Sequence, residues 1–366
     1  MIQATHSSSE RLLSAAEAIR EAQDQAMEAD QRVFVIGEGV ADPKGVFGTT
    51  LGLVDKYGPG RVVETPLSEN AFTGVAIGSA LMGQRPILVH QRVEFALLAM
   101  EQMVGNAAKA HYVSNGAHCV PLVIRLVVGR GWGQGPQHSQ SLEALFAYIP
   151  GLKLVMPATP ADAKGMLLAA IADDNPVVFM EHRWIHYATG HVPEASAPTP
   201  LDGPRRSRDG DDVTLVATSY MVFEAAQAAD ALAGEGVGVD LFDLRVARPL
   251  VLDAVIESVR RTGRLVIVDT GWQAFGIGAE IAASVTESCF GALQAAPRRI
   301  GLPAHPTPSS PMLAKAYYPS SEEIAETAGS LAGLEKSRIA KVRETIARNR
   351  SDVPFDIPHP SFRGPF

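Results

Sequence analysis

Four side chains stand where chemistry would need them. Glu69 heads the segment ETPLSENAFTGVAIGSALMG (64–83), which is otherwise mostly small and apolar. An acid in the first turn of a helix is favoured by the helix dipole, and Ser68 before it is placed to cap that helix. The competing account is a carboxyl held in an apolar pocket, where desolvation raises its pKa and lets it share a proton with a ligand base. Glu38 lies near the end of RVFVIGEGV (32–40), at a strand end, where an acid either caps a loop or faces a site. His138, in GPQHSQS, has a side chain that titrates near neutrality and can move protons or orient a carboxylate. A lone histidine beside glycine and serine is also an ordinary loop residue. Phe95, in VEFALLAM, reads by itself as core packing.

Strands and helices must position these groups. Short β-branched runs read as strands: RVFVIGEGV (32–40), RPILVH (85–90), VPLVIRLVV (120–128), LKLVMP (152–157) and PVVFME (176–181). Helical patterns over 68–82, 94–112, 140–148 and 160–173 fall between them. Continuous apolar strands alternating with helices mean a mostly parallel sheet covered on both faces. The stretch 191–211 is rich in Pro, Gly, Ser and charge and reads as a linker. The rhythm then restarts with VTLVAT (213–218), VGVDLFDL (237–244) and RLVIVDT (264–270), each followed by a helical pattern. The expected fold class is α/β, with two three-layer domains, 1–190 and 212–330, and a charged, then Pro- and Phe-rich arm over 331–366. Gly276 and Gly278 form a lone GxG, either a tight turn opening a helix or an anion contact at its N-terminus. At the other end, SSSE (7–10) followed by spaced Leu and Ala reads as a capped helix start.

With 366 residues the chain is long enough for two domains, and a hydrophobic fraction of 46% supports a substantial core. A net charge of −8 argues against a nucleic-acid face. No apolar stretch approaches the ~20 residues of a membrane span, and the start lacks a secretory pattern. Cys119 and Cys289 are far apart, with no CxxC or His/Cys cluster, and read as buried free thiols of a cytoplasmic protein.

The blocks ETPLSENAFTGVAIGSALMGQRPI, AMEQMVGNAAKAHYVSNG, QHSQSLEALFAYIPGLKLVMPATPADAKGML, AIADDNPVVFMEH and GWQAFGIGAEI resemble the β subunit of thiamine-diphosphate-dependent 2-oxo acid dehydrogenases. The resemblance covers roughly residues 10–330, collinear and similarly spaced. It implies a transketolase-like pyrimidine-binding domain followed by a transketolase C-terminal-like domain. It also implies roles. Glu69 would hydrogen-bond the aminopyrimidine of the cofactor and favour its basic imino form, a stronger effect in a dry pocket than in water. Phe95 would stack on that ring. Glu38 would belong to a chain of acids linking two cofactor sites, and His138 would be the active-site histidine. Leu122, Ala170, Ile171, Asp173 and Asn175 match the positions that hold a structural potassium ion in relatives; an Asp/Asn turn before Pro176 is the alternative.

Differences from the family matter as well. Relatives can carry an acid three residues beyond the stacking aromatic, where this chain has Leu98. The GDG…N signature for the diphosphate and Mg²⁺ is missing, since RDGDDVTLVATS offers only DGD. The resemblance therefore implies that a partner α subunit holds the diphosphate and Mg²⁺ in an α₂β₂ assembly, with a lipoyl acyltransferase core as a further partner. VHQR (89–92), GRGWGQG (129–135) and EHRWIHY (181–187) are unusual. They make His90, Arg92, Arg130 and Trp132 candidates for a substrate pocket, or for a repacked interface. The expected activity is oxidative decarboxylation of a 2-oxo acid with acyl transfer to lipoamide. A split transketolase or acyloin-type carboligase and a non-catalytic assembly subunit are the alternatives.

Overall fold

The computed structural model describes residues 11–130, 133–194 and 196–349. Its strands are β1 (Leu12–Ser14), β2 (Val33–Gly37), β3 (Val62–Glu64), β4 (Arg85–His90), β5 (Val123–Val128), β6 (Lys153–Val155) and β7 (Val177–His182). They continue with β8 (Thr189–His191), β9 (Arg205–Arg208), β10 (Val213–Ala217), β11 (Val239–Asp243), β12 (Val246–Arg248), β13 (Leu265–Trp272) and β14 (Arg298–Leu302). Seven strands form the first large sheet, in the order β12-β6-β7-β5-β4-β2-β3, and five form the second, β14-β13-β10-β11-β9. Within these two sheets every neighbouring pair is parallel except β12–β6 and β9–β11, and β1 pairs with β8 in a separate antiparallel ribbon. β4, β5, β7 and β10 are buried almost end to end, which is why they read as unbroken apolar runs rather than alternating ones.

The helices cover both faces. In the first half they are α1 (Ala15–Ala29), α2 (Leu53–Tyr57), α3 (Glu69–Leu81), α4 (Val93–Ala96), α5 (Ala110–Val113), α6 (Glu143–Ala147) and α7 (Pro160–Ala172). α1 starts at Ser14, whose side chain and Glu17 complete a capping box. The start expected from SSSE (7–10) lies outside the described residues. α7 is opened by Thr159, which accepts from the Asp162 N–H, and by Pro160 in its first turn. The single helix expected over 94–112 is instead α4, a 3₁₀ turn at Leu97–Ala99, a π turn at Gln102–Ala107 and α5. Gly105 lies in the π turn, where a Cβ would stand 3.2 Å from Glu101 Oε1, so its absence leaves room for the Glu101 side chain.

The second half contributes α8 (Met221–Ala233), α9 (Asp253–Thr262), α10 (Ile277–Cys289), α11 (Pro311–Tyr317), α12 (Ser321–Leu331) and α13 (Lys336–Asn349). The start of the expected arm is α13, which turns Ile339, Val342 and Ile346 inward and packs on α8 and α12 of its own chain. Residues 350–366 lie outside the described residues. Several contacts tie the halves together, among them β12 and Asp162. β12, which follows β11 of the second sheet, pairs instead with β6 and becomes the edge of the first. Asp162 of α7 pairs with Arg205 (2.7 Å) and Arg245 (3.2 Å) from the second half. β9 falls inside the stretch that reads as a linker, and it borders the second sheet. Cys289 is buried, but Cys119 is only half-buried, with its sulfur 3.6 Å from His111 Nδ1; both thiols are free.

Candidate functional site

In an open parallel sheet, ligands bind beyond the carboxyl ends of the strands. The fold sends four chain segments there. β2 ends at Gly37, where a side chain would run into the Val89 carbonyl of β4, so the chain can turn out of the sheet at Glu38 only with glycine in that place. The loop that follows is fixed by Glu64 at the end of β3, which accepts from the N–H groups of Gly39 (2.6 Å) and Ala41 (2.9 Å). Glu38 is 9% exposed, and its Oε1 is buried with no hydrogen-bond partner. Burial raises its pKa, and the charge of Glu69 raises it further, against the pull of the Ser68 N–H.

Glu69 is the first residue of α3 and is half-buried. The Ser68 side chain makes no cap hydrogen bond, so the serine expected to cap this helix does not do so. α3 buries Phe72, Thr73, Ala76, Ile77 and Ala80 and turns Val75 and Gly78 outward. Phe95 lies on α4, just past β4, with its ring edge-on to His138 at 5.6 Å between centroids. His138 sits in the segment after β5, where its Nδ1 is buried with no hydrogen-bond partner. Its carbonyl accepts from Arg183 Nη2 (2.8 Å), and two residues on, the Gln140 N–H donates to Glu94 Oε1 (2.8 Å). The fold thus gathers Glu38, Glu69, Phe95 and His138 at one edge of the first sheet. Leu98 is 64% exposed and contributes no acid there.

The residues read as an unusual substrate pocket are arranged differently. His90 faces the interior under α3, 2% exposed, 5.1 Å from the Phe72 ring and 3.3 Å from Thr73 Oγ1. Burial pushes its pKa down to about 3, so it is neutral and packs as a core side chain instead of lining an open pocket. Arg92 is 3% exposed and lies 5.7 Å over the Phe47 ring, and the Glu94 charge opposes the lowering that burial imposes on it. Arg130 is sandwiched between Trp184 (4.1 Å) and Tyr318 (4.0 Å), an arrangement that joins the two halves. Trp132 lies outside the described residues.

The five potassium-candidate residues gather at the opposite, amino-terminal edge of the sheet. The carbonyls of Ile171 and Asp173 accept from Arg85 Nη1 (3.0 and 3.1 Å), and the Asp173 carboxylate pairs with Lys153. The Asn175 N–H donates to Asp173 Oδ1 (2.9 Å), the Leu122 carbonyl accepts from the Val177 N–H (2.9 Å), and the Ala170 carbonyl accepts from the Asp173 N–H (3.3 Å). Among the described residues no three His, Cys, Asp or Glu side chains cluster as metal ligands. At Gly276–Gly278 the helix N-terminus does meet an anion, but it is the chain's own Asp269, whose Oδ2 accepts from the Gly278 N–H (3.3 Å). Asp269 also lies against Glu143, whose buried carboxyl is held well above its ordinary pKa, first by burial and then by the Asp269 charge.

Sequence inspection missed Glu64, Glu94 and Arg183. Only Glu94 carries a local signal, an acid beside Phe95 at the start of an apolar helix; the roles of the other two depend on distant backbone groups.

The profile of the transketolase pyrimidine-binding domain matches residues 12–185, and that of the transketolase C-terminal domain matches residues 204–324. The chain is 43% identical to the β subunit of acetoin:2,6-dichlorophenolindophenol oxidoreductase from Cupriavidus necator, over 87% of this chain and 97% of that protein. It is 40% identical to the pyruvate dehydrogenase E1 component β subunit of Rickettsia bellii, over 84% and 95%. It is 39% identical to the 2-oxoisovalerate dehydrogenase β subunit of Bacillus subtilis, over 86% and 96%. Among solved structures, the inactive β4 tetramer of a split-gene transketolase superposes with a TM-score of 0.68 at 20% identity, covering 88% of this chain and 99% of that one, a likeness of fold alone.

Proposed function

The chain belongs to the β-subunit family of the 2-oxo acid dehydrogenases, and from that premise we propose that it supplies the pyrimidine-side half of a thiamine-diphosphate site completed by an α subunit. The observation that carries this is the convergence of Glu38, Glu69, Phe95 and His138 on one sheet edge, with two buried polar atoms, Glu38 Oε1 and His138 Nδ1, left for a ligand to satisfy. Those residues fit the group. Glu69 would hold a proton at the ring nitrogen of the aminopyrimidine, Phe95 would stack on the ring, and Glu38 would share charge with Glu69. When bound, thiamine diphosphate supplies the carbanion-stabilising thiazolium. His138 would orient the substrate carboxylate or hold a proton for the acceptor side during acyl transfer.

The reaction is decarboxylation of a 2-oxo acid with acyl transfer to lipoamide on an acyltransferase core. The α subunit would hold the diphosphate and Mg²⁺ in an α₂β₂ assembly located in the cytoplasm. Around Asp173, a potassium ion would use the remaining lone pairs of carbonyls that already accept from Arg85. A melting temperature of the complex higher by a few degrees in K⁺ than in tetramethylammonium is expected, as for any ligand that binds only the folded state; identical curves remove the ion.

A second reading is an acyloin-type carboligase that passes the same carbanion to an aldehyde; the 43% relative, an acetoin:2,6-dichlorophenolindophenol oxidoreductase β subunit, is named for an acyloin substrate. The test is to co-express the chain with its α subunit and assay pyruvate, 2-oxoisovalerate and acetoin with an artificial electron acceptor, with and without an aldehyde. Turnover of a 2-oxo acid that is lost in E69A supports the first reading. Turnover of acetoin alone selects the second, and full activity of E69A would leave only an assembly role.

A further inference from the structure

We propose that the turn Gln91–Phe95 is the alignment element of this site, with Gln91 and Glu94 as positioning residues that hold Glu38 and His138 in register. The proposal rests on the function proposed above. From one end of the turn, Gln91 Nε2 donates to the Glu38 carbonyl (3.1 Å). Gln91 can reach it because Gly39, at φ +71°, has no side chain; a Cβ there would collide with Gln91 Nε2. At the other end, Glu94 Oε1 accepts from the Gln140 N–H (2.8 Å), and Phe95 packs against His138. Val93 within it and Ala96 directly after it are fully buried and anchor the segment.

The His138 segment has no strand or helix of its own to fix it, so its position depends on contacts with its neighbours, three of which clamp the backbone of His138 and Gln140. The Gln140 carbonyl accepts from the Gly129 N–H (3.1 Å), the His138 carbonyl from Arg183, and the Gln140 N–H is taken by Glu94. Of the three acceptors and donors, only Glu94 belongs to the same turn that also fixes Glu38. Five consecutive residues therefore set the position of the acid on the pyrimidine side and of the imidazole on the substrate side. A displacement of about 1 Å at such a group costs on the order of 100-fold in rate.

The experiment uses the co-expressed complex with E94A, E94Q, H138A and the double variant E94A/H138A. E94A is expected to lower kcat for the 2-oxo acid on the order of 100-fold with KM nearly unchanged. E94Q recovers most of that loss, because the amide oxygen accepts the same N–H. The double variant is expected to be no slower than H138A alone, because Glu94 acts through His138. Hydrogen exchange on the cofactor-free complex is the independent readout: peptide 134–142 exchanges faster in E94A and unchanged in E94Q. E94A with wild-type kcat and wild-type exchange overturns the proposal, as do effects of the two single variants that multiply. Should the wild-type complex turn over no 2-oxo acid, the functional reading fails and the exchange measurement alone decides the clamp: faster exchange in E94A upholds it, and unchanged exchange overturns it.

Discussion

Glu38, which is buried, is repelled by the half-buried Glu69 at the start of α3. A proton on Glu38 relieves that repulsion, so the like charge of Glu69 favours the protonated form of Glu38. The raised pKa of Glu38 is the sign of this, with burial as its larger cause and Glu69 the next. E69Q removes the like charge, and the pKa of Glu38 should fall toward the ordinary carboxylate range, as read by ¹³C titration of labelled glutamate. A Glu38 titration that does not move would uncouple the two. E69A should also lower turnover by two orders of magnitude or more while leaving the fold intact, since an acid at a half-exposed helix start carries little of the stability. These residues were legible from the sequence because each sits inside a short, distinctive string. Glu94 and Glu64 were not, because what they hold is a backbone N–H on another segment: Gln140 lies 46 positions beyond Glu94, and Gly39 lies 25 before Glu64. The same limit applies to His90, whose neighbours Phe72 and Thr73 come from a helix the sequence does not place against it.

At the level of elements, alternation of apolar strands with Ala-rich helices was enough to reveal the parallel sheets. It does not reveal elements whose existence depends on a partner strand. β9 and β12 are four and three residues long, and neither carries a pattern of its own. Where β9 meets β11 a carboxylate is buried. Asp243, at the end of β11, is pushed up to about 7 by burial; Arg205 and Arg245 pull it down, and Asp162 pushes it up. The sign follows from linkage. The folded state holds a proton that the unfolded chain has already released above its ordinary pKa of 3.8. Stability from this group is therefore fullest below that pH and declines as pH rises to about 7. D243N should flatten the decline, giving a melting temperature at pH 8 above that of wild type and a smaller difference at pH 4. A D243N curve parallel to wild type would mean that Asp243 titrates normally.

The whole molecule presents an unfinished surface beside its site. Leu67 (83% exposed), Val75 (60%) and Leu98 (64%) lie around the Glu69 end of α3, and at Gly78 a Cβ would meet nothing within 4 Å. Such an apolar and glycine-bearing face suits close approach of another polypeptide. G78L should leave the isolated chain folded, or stabilise it slightly through helix propensity, and yet abolish co-purification with the α subunit. Intact co-purification would move the contact elsewhere. The crossing of β12 into the first sheet has a separate bearing on ancestry. A gene that acquired a new second unit by recombination at the 191–211 stretch would also replace the border strand of the first, leaving β6 with an unmatched neighbour. Such an exchange would succeed only where the incoming unit brings a strand that borders β6 in the same way.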